Sequence, residues 1–243
     1  MKFDTLKIFC VSLHVFLVQP ASRTNNIKFW IKLDIRGKGI LGSRAKARNN
    51  NHPLPGASIK VEPIRSVADI RRIKKLREGS PRDLCLFTFG INTAFRANEL
   101  LSIHVGDVAH LRAGDRFELK QRKTQTYRAI TLNQTVVNAI REWLAVHPDP
   151  SPEAPLFRSH KTGEALQVSV VSQMVKRWCA EAGLKGNYGS HTLRKTWGYH
   201  QRMQGKAALP LLMEAFGHAT QRQTLDYLCI QSEEIQELYA LEL

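Results

Sequence analysis

The run Leu84-Cys85-Leu86-Phe87-Thr88-Phe89-Gly90-Ile91 constrains this chain more than any other stretch. It follows Ser80-Pro81, with Ser where an N-cap belongs and Pro at the first helical position, so it reads as a helix. Apolar side chains cover nearly its whole circumference, which marks a helix buried in a core rather than one lying on a surface. Ser66 opens an earlier helix through Val67, Ile70, Ile73 and Leu76, ending at Gly79, and a third, short helix is expected from Arg96 to Ile103. Arg116–Gln121 and Thr126–Leu132 alternate and are joined by a polar connection around Lys123, the pattern of a β-hairpin. Asn133 caps a helix carrying Val136, Val137, Ile140 and Leu144, and the proline-rich segment from His147 to Pro155 reads as a surface loop. Further helices are expected near 168–182, 191–204, 207–216, 221–230 and 232–241. The expected fold over residues 63–243 is mainly α with a small antiparallel β-sheet (α+β), without internal repeats.

Residues 1–62 read differently. From Asn25 to Glu62 the periodicity is broken by Gly37, Gly39, Gly42, Asn49-Asn50-Asn51, Pro53, Pro55 and Gly56, which predicts a basic, poorly structured extension and linker. An apolar run of 11 residues, Ile8–Val18, follows Lys2 and Lys7 as in a secretory signal, but Ser12 and His14 interrupt it and it is too short to span a bilayer. A helix packed on the domain, or residues added by an upstream start codon, is the expected reading.

Charge narrows the partner. Of 243 residues 36 are Lys or Arg and 21 Asp or Glu, a net +15. Residues 1–65 hold twelve bases against three acids, while residues 231–243 hold four Glu and no base. Self-repulsion on this scale suits a chain that meets a polyanion, nucleic acid or an anionic membrane surface. Cys10, Cys85, Cys179 and Cys229 are widely spaced with no C-x-x-C, which fits a reducing compartment and neither a disulfide framework nor a zinc site.

Six residues then stand in a telling order: Arg96 in Thr-Ala-Phe-Arg-Ala-Asn-Glu-Leu-Leu, Lys123 in Arg-Lys-Thr-Gln, His191 and Arg194 in Ser-His-Thr-Leu-Arg-Lys-Thr, His218 in Ala-Phe-Gly-His-Ala-Thr, and Tyr227 nine residues later. His191 and Arg194, at i and i+3, share a helix face. With nine His, about one H-x-x-R arises by chance, so the weight lies in the whole order. Singly, Arg96 and Glu99 read as a helix ion pair, Lys123 as a solvated turn lysine, Gly217 as a helix C-cap, and Tyr227 as a half-buried aromatic between Leu225 and Leu228. Together they offer two planar, permanently charged guanidiniums for phosphate oxygens and a phenol able to act as nucleophile.

This set resembles the tyrosine recombinase, or phage integrase, family, across about residues 63–243. The resemblance implies the catalytic-domain fold of a DNA breaking-rejoining enzyme and site-specific DNA recombination, as an integrase or resolvase of a mobile element, through a 3′-phosphotyrosine intermediate. It implies that Arg96 and Arg194 clamp the scissile phosphate, Tyr227 attacks it, His191 accepts the phenol proton, His218 bonds the phosphate and Lys123 protonates the departing 5′-oxygen. Glu99 would brace the Arg96 segment, and Lys120, Arg122 and Lys195 are expected to contact double-stranded DNA. No cofactor and no metal are implied, in keeping with a sequence that offers no P-loop and no acidic metal cluster. The acidic tail helix, 232–243, carries Ile235, Leu238 and Tyr239 on one stripe. In the family such a tail docks into a neighbouring protomer of a tetramer on DNA; the plainer reading folds it back on its own domain. Accessory DNA-bending proteins and a cytoplasmic, nucleoid-associated setting complete the expectation.

Two features depart from the family pattern. Ala94-Phe95 stands where Gly-hydrophobic is usual before the first Arg, and residues 1–62 are too few and too irregular for the helical DNA-clamping domain that usually comes first. They keep two alternatives open: a DNA-binding accessory or remnant domain without autonomous catalysis, and relaxation of the type IB topoisomerase kind.

Overall fold

The computed structural model describes residues 60–120 and 127–230, with positions 236 and 239. The N-terminal extension up to residue 59, the Lys123 connection and, but for those two positions, the segment 232–243 expected to form the tail helix lie outside the described residues.

Helix α1, Val67–Leu76, begins where Ser66 accepts a hydrogen bond from the Asp69 amide, with Asp69 in its first turn and Lys74 and Lys75 in its last, each complementing the helix dipole. Helix α2, Pro81–Asn92, is the core helix, with Cys85, Leu86, Phe87 and Phe89 fully enclosed. Ser80 stands at its N-cap but its side chain makes no capping bond; Pro81, lacking an amide hydrogen, leaves one donor fewer to satisfy there. Asn133 caps α5, Gln134–Leu144, by accepting from the Val136 amide at 2.9 Å. The remaining long helices are α6, Val168–Glu181, α7, Ser190–Met203, α8, Leu209–Phe216, and α9, Gln221–Leu228. The two strands, β1, Arg116–Lys120, and β2, Tyr127–Thr131, pair antiparallel with Phe117 opposite Ile130 and Leu119 opposite Arg128.

One expected helix is shorter than its reading, and an unexpected turn of helix follows it. The helix expected from Arg96 to Ile103 covers only Ala97–Leu100 (α3), and a separate turn of helix, α4, spans Val105–Val108. The segment 152–156 takes the backbone groups a continuous helix would need. The Val105 amide donates to Ala154, that of Gly106 to Pro152, and the Ile103 carbonyl accepts from Leu156. The loop expected over His147–Pro155 is thus anchored at its far end, where Ala154, Leu156 and Phe157 are buried.

Two hydrophobic groups result. The larger is built on α2 between α5 and α7, with Phe87 edge-on to Trp178 of α6 and Phe95 edge-on to Phe117 of β1. The smaller gathers Ala94, Leu212, Phe216 and Leu228, with Trp197 and Tyr227 against it. It holds α8 and α9 on α7 and so determines where Tyr227 stands. Gly198 makes this possible: a Cβ there would lie 2.2 Å from the Phe216 ring. Gly198→Ala is therefore expected to lower stability by about 1–3 kcal/mol in urea unfolding, as overpacking does. A midpoint equal to wild type would show that Phe216 is not fixed against α7.

Candidate active site

The site forms where four elements end or face one another. Arg96 is the N-cap residue of α3, His191 and Arg194 sit on α7, His218 follows α8 directly, and Tyr227 is on α9. The turn that delivers His218 depends on Gly217, which ends α8 in the left-handed region (φ 62, ψ 46). The C-cap reading and the site reading of Gly217-His218 are thus one feature.

Arg194 lies at the centre and is 1% exposed. Its guanidinium donates to the carbonyls of Ala94 and, at 2.5 Å, Phe216, and its Nε has no hydrogen-bond partner among the described residues. It stands 5.0 Å from the centre of the Phe216 ring and 5.8 Å from that of Tyr227. Glu99 accepts from the Arg96 amide at 2.5 Å and from the Arg96 guanidinium at 3.2 Å. The same carboxylate lies 3.8 Å from Arg194 and 3.7 Å from Arg128. The phenol oxygen of Tyr227 is 3.2 Å from Nδ1 of His191. His218 stacks on Phe216, meets the Tyr227 ring edge-on at 5.1 Å, and has Nδ1 3.0 Å from the buried Thr224 hydroxyl. If Thr224 donates to Nδ1, Nε2 carries the His218 proton.

Two bases differ from their sequence reading or escaped it. Lys195, expected to contact DNA, is 5% exposed; its ammonium is 3.1 Å from Cys229 Sγ and 4.9 Å from the centre of the Tyr227 ring. It faces the phenol because it stands four residues after His191, on the same helix face. Arg128 was not singled out. It projects inward from β2 and donates to the carbonyls of Ala215 and Phe216. A cation in the inward phase of an alternating strand was the available signal. The backbone of Lys120 ends β1 opposite Tyr127, and Lys123 and Arg122 lie outside the described residues.

Three arginines, Arg96, Arg128 and Arg194, thus share one carboxylate, and Lys195 adds a fourth cation beside the Tyr227 ring, an excess of positive charge suited to an anionic ligand. Burial brings Arg194 down to about 10, still protonated at neutral pH. Burial also raises the Tyr227 phenol, opposed by the Arg194 and Arg96 charges. Loss of water around the ring, then the Arg194, Lys195 and Arg96 charges, holds His191 below its ordinary value. The same causes, burial and then Arg194, Arg96 and Arg128, bring His218 to about 4. Both imidazoles are therefore neutral near pH 7, and His191 can accept the phenol's proton. Among the described residues no three His, Cys, Asp or Glu side chains gather as metal ligands would, and no helix is long and apolar enough to cross a membrane.

The low value at His218 has a measurable consequence for the free protein. A folded value beneath the unfolded one of about 6.5 means the unfolded chain binds more protons, so stability falls as pH drops from about 6.5 towards 4. His218→Gln is expected to lose part of that fall in melting temperature, relative to wild type. Identical slopes for the two proteins would contradict it.

Comparison with known proteins gives a consistent picture. The model of the phage integrase family matches residues 66–234. The probable integrase/recombinase YoeC of Bacillus subtilis (strain 168) is 31% identical over 182 residues, 74% of this chain and 95% of that protein. Tyrosine recombinase XerC of Caldanaerobacter subterraneus subsp. tengcongensis is 26% identical over 159 residues, 64% of this chain and 43% of its own length. The chain accordingly spans almost all of YoeC but under half of this XerC. Among solved structures, XerA recombinase superposes with a TM-score of 0.63 at 17% identity, over 76% of this chain and 66% of that one. XerH site-specific recombinase, bound to palindromic difH substrate in a post-cleavage complex, gives 0.56 at 22%, over 86% of this chain and 61% of its own. At these identities the likeness is one of fold.

Proposed function

The chain belongs to the phage integrase family, and on that premise we propose that it recombines DNA at specific sites by cutting and rejoining strands through Tyr227. The observation that carries the reading is the phenol oxygen 3.2 Å from a neutral imidazole, with its ring beside the buried Arg194. In this scheme Arg96 and Arg194 bind the non-bridging oxygens of the scissile phosphate. The Tyr227 oxygen attacks phosphorus, forming the P–O bond as the P–O5′ bond breaks. The phenol proton passes to His191, and Lys123 gives a proton to the leaving 5′-oxygen. His218 donates from Nε2 to the phosphate. The product carries DNA on Tyr227 as a 3′-phosphotyrosine and frees a 5′-hydroxyl. Attack by the 5′-hydroxyl of another strand reverses the chemistry and restores the phenol, so the ester's energy is conserved and rejoining needs no ATP.

Glu99 orients the arginines from behind, while Lys120 and Arg122 are assigned contacts with the DNA groove or phosphates. The wider setting belongs to the same proposal: one catalytic domain over residues 63–243 behind a basic N-terminal extension of residues 1–62, a mobile element's integrase or resolvase acting on nucleoid DNA in the cytoplasm, a tetramer joined by exchange of the tail at 232–243, and accessory DNA-bending proteins. Contacts made mainly by Lys and Arg should give steeply salt-dependent DNA affinity.

A nicked suicide duplex carrying the ends of the host's own element tests the activity, since loss of the short fragment that bears the freed 5′-hydroxyl prevents rejoining and traps the adduct. Wild-type protein is expected to accumulate a covalent complex. Binding without adduct formation would favour the accessory-domain alternative, and relaxation of supercoiled plasmid irrespective of sequence would favour the topoisomerase one.

A further inference from the structure

We propose that Arg128 is a positioning residue for strand cleavage: it fixes the carbonyl end of α8 and the Glu99 carboxylate, the two groups against which Arg194 is set. The inference rests on the reading of Tyr227 as nucleophile and Arg194 as phosphate ligand. It assigns Arg128 no contact with DNA.

Arg128 shares the inward side of the hairpin with Phe117, Leu119 and Ile130 and is 9% exposed. A guanidinium in such surroundings is costly unless its donors are used. They are used on the site. One nitrogen donates to the Ala215 carbonyl and another, at 3.2 Å, to that of Phe216, the last carbonyls of α8, which have no amide in a following turn and carry the negative end of its dipole. Nε lies 3.7 Å from Glu99.

Arg194 uses the same two partners. It donates to the Phe216 carbonyl at 2.5 Å and lies 3.8 Å from the other Glu99 oxygen. The two guanidiniums are therefore coupled through one carbonyl and one carboxylate. Without Arg128, both shared acceptors fall to Arg194 more fully, drawing its guanidinium toward the protein and away from a phosphate. His218 is affected from the same place. Gly217, between Phe216 and His218, packs so closely that a Cβ on it would lie 3.0 Å from Arg128. The cation therefore also supports the turn that aims the imidazole.

A purely structural cation would change the number of folded molecules but not the rate at which each one cleaves. Single-turnover cleavage at saturating protein separates the two, on the nicked duplex with which the wild type forms its adduct. For Arg128→Met the rate constant is expected to fall about 30-fold or more, the scale of a small misplacement in an active site. Adduct amplitude and gel-shift affinity should stay within about twofold of wild type. Arg128→Lys keeps the charge but cannot span both carbonyls, and its rate constant is expected to fall less, though by more than about threefold. A loss of roughly tenfold or less for Arg128→Met overturns the proposal, whatever the amplitude. Should that variant fail to fold, Arg128→Lys decides, and a rate constant within about threefold of wild type overturns it. Absence of any adduct with the wild type refutes the cleavage reading instead, and the control separates the two failures.

Discussion

Tyr227→Phe is expected to retard duplex DNA in a gel as the wild type does and to form no covalent adduct with it. The substitution removes one oxygen. The ring keeps its edge-on contacts with Phe216 and His218 and its place beneath the Lys195 ammonium, so α9 stays where it is. What is lost is the partner of His191 Nδ1 and the only nucleophile the scheme contains. Cleavage should fall below detection, while affinity, set by the Lys and Arg side chains, is unchanged at every salt concentration. An adduct formed by the Phe variant would mean that another side chain attacks.

The second large effect belongs to Arg194. Arg194→Met keeps much of the side chain's volume and none of its donors, and adduct formation is expected to slow by roughly 10³-fold, the range seen when a preorganised donor to a reacting phosphoryl or oxyanion is removed. The Ala94 and Phe216 carbonyls lose donors as well, so the melting temperature should drop with the rate. Arg194→Lys separates the contributions: it restores the charge but only one of the bonds, and should recover the melting temperature more fully than the rate. Equal recovery of both would argue that Arg194 serves the fold alone.

Much of this was legible from local rules. The caps at Ser66 and Asn133, the all-round apolar face of α2 and the shared face of His191 and Arg194 follow from spacing of one to four residues, and the longer helices among the described residues appear within a few residues of their expected bounds. Pro210 explains one such difference, since α8 starts at Leu209 rather than 207 with the ring fixing its first turn. What the sequence did not disclose depends on distant partners. The break between α3 and α4 is imposed by backbone groups some fifty residues on, at 152–156. Arg128 meets carbonyls 87 and 88 residues away. Lys195 was legible in part: its place four residues after His191 assigns it to the site face, but that it reaches the Tyr227 ring and Cys229 depends on how α9 packs across α7.

The central claim is that one phenol oxygen becomes bonded to phosphorus. Digesting the trapped wild-type complex with protease and nuclease, then sequencing the nucleotide-bearing peptide by mass spectrometry, tests it most directly. The account predicts a single modified peptide, with the phosphate of a 3′-terminal nucleotide on Tyr227. A nucleotide on any other residue, or linkage through a 5′-phosphate, would contradict it.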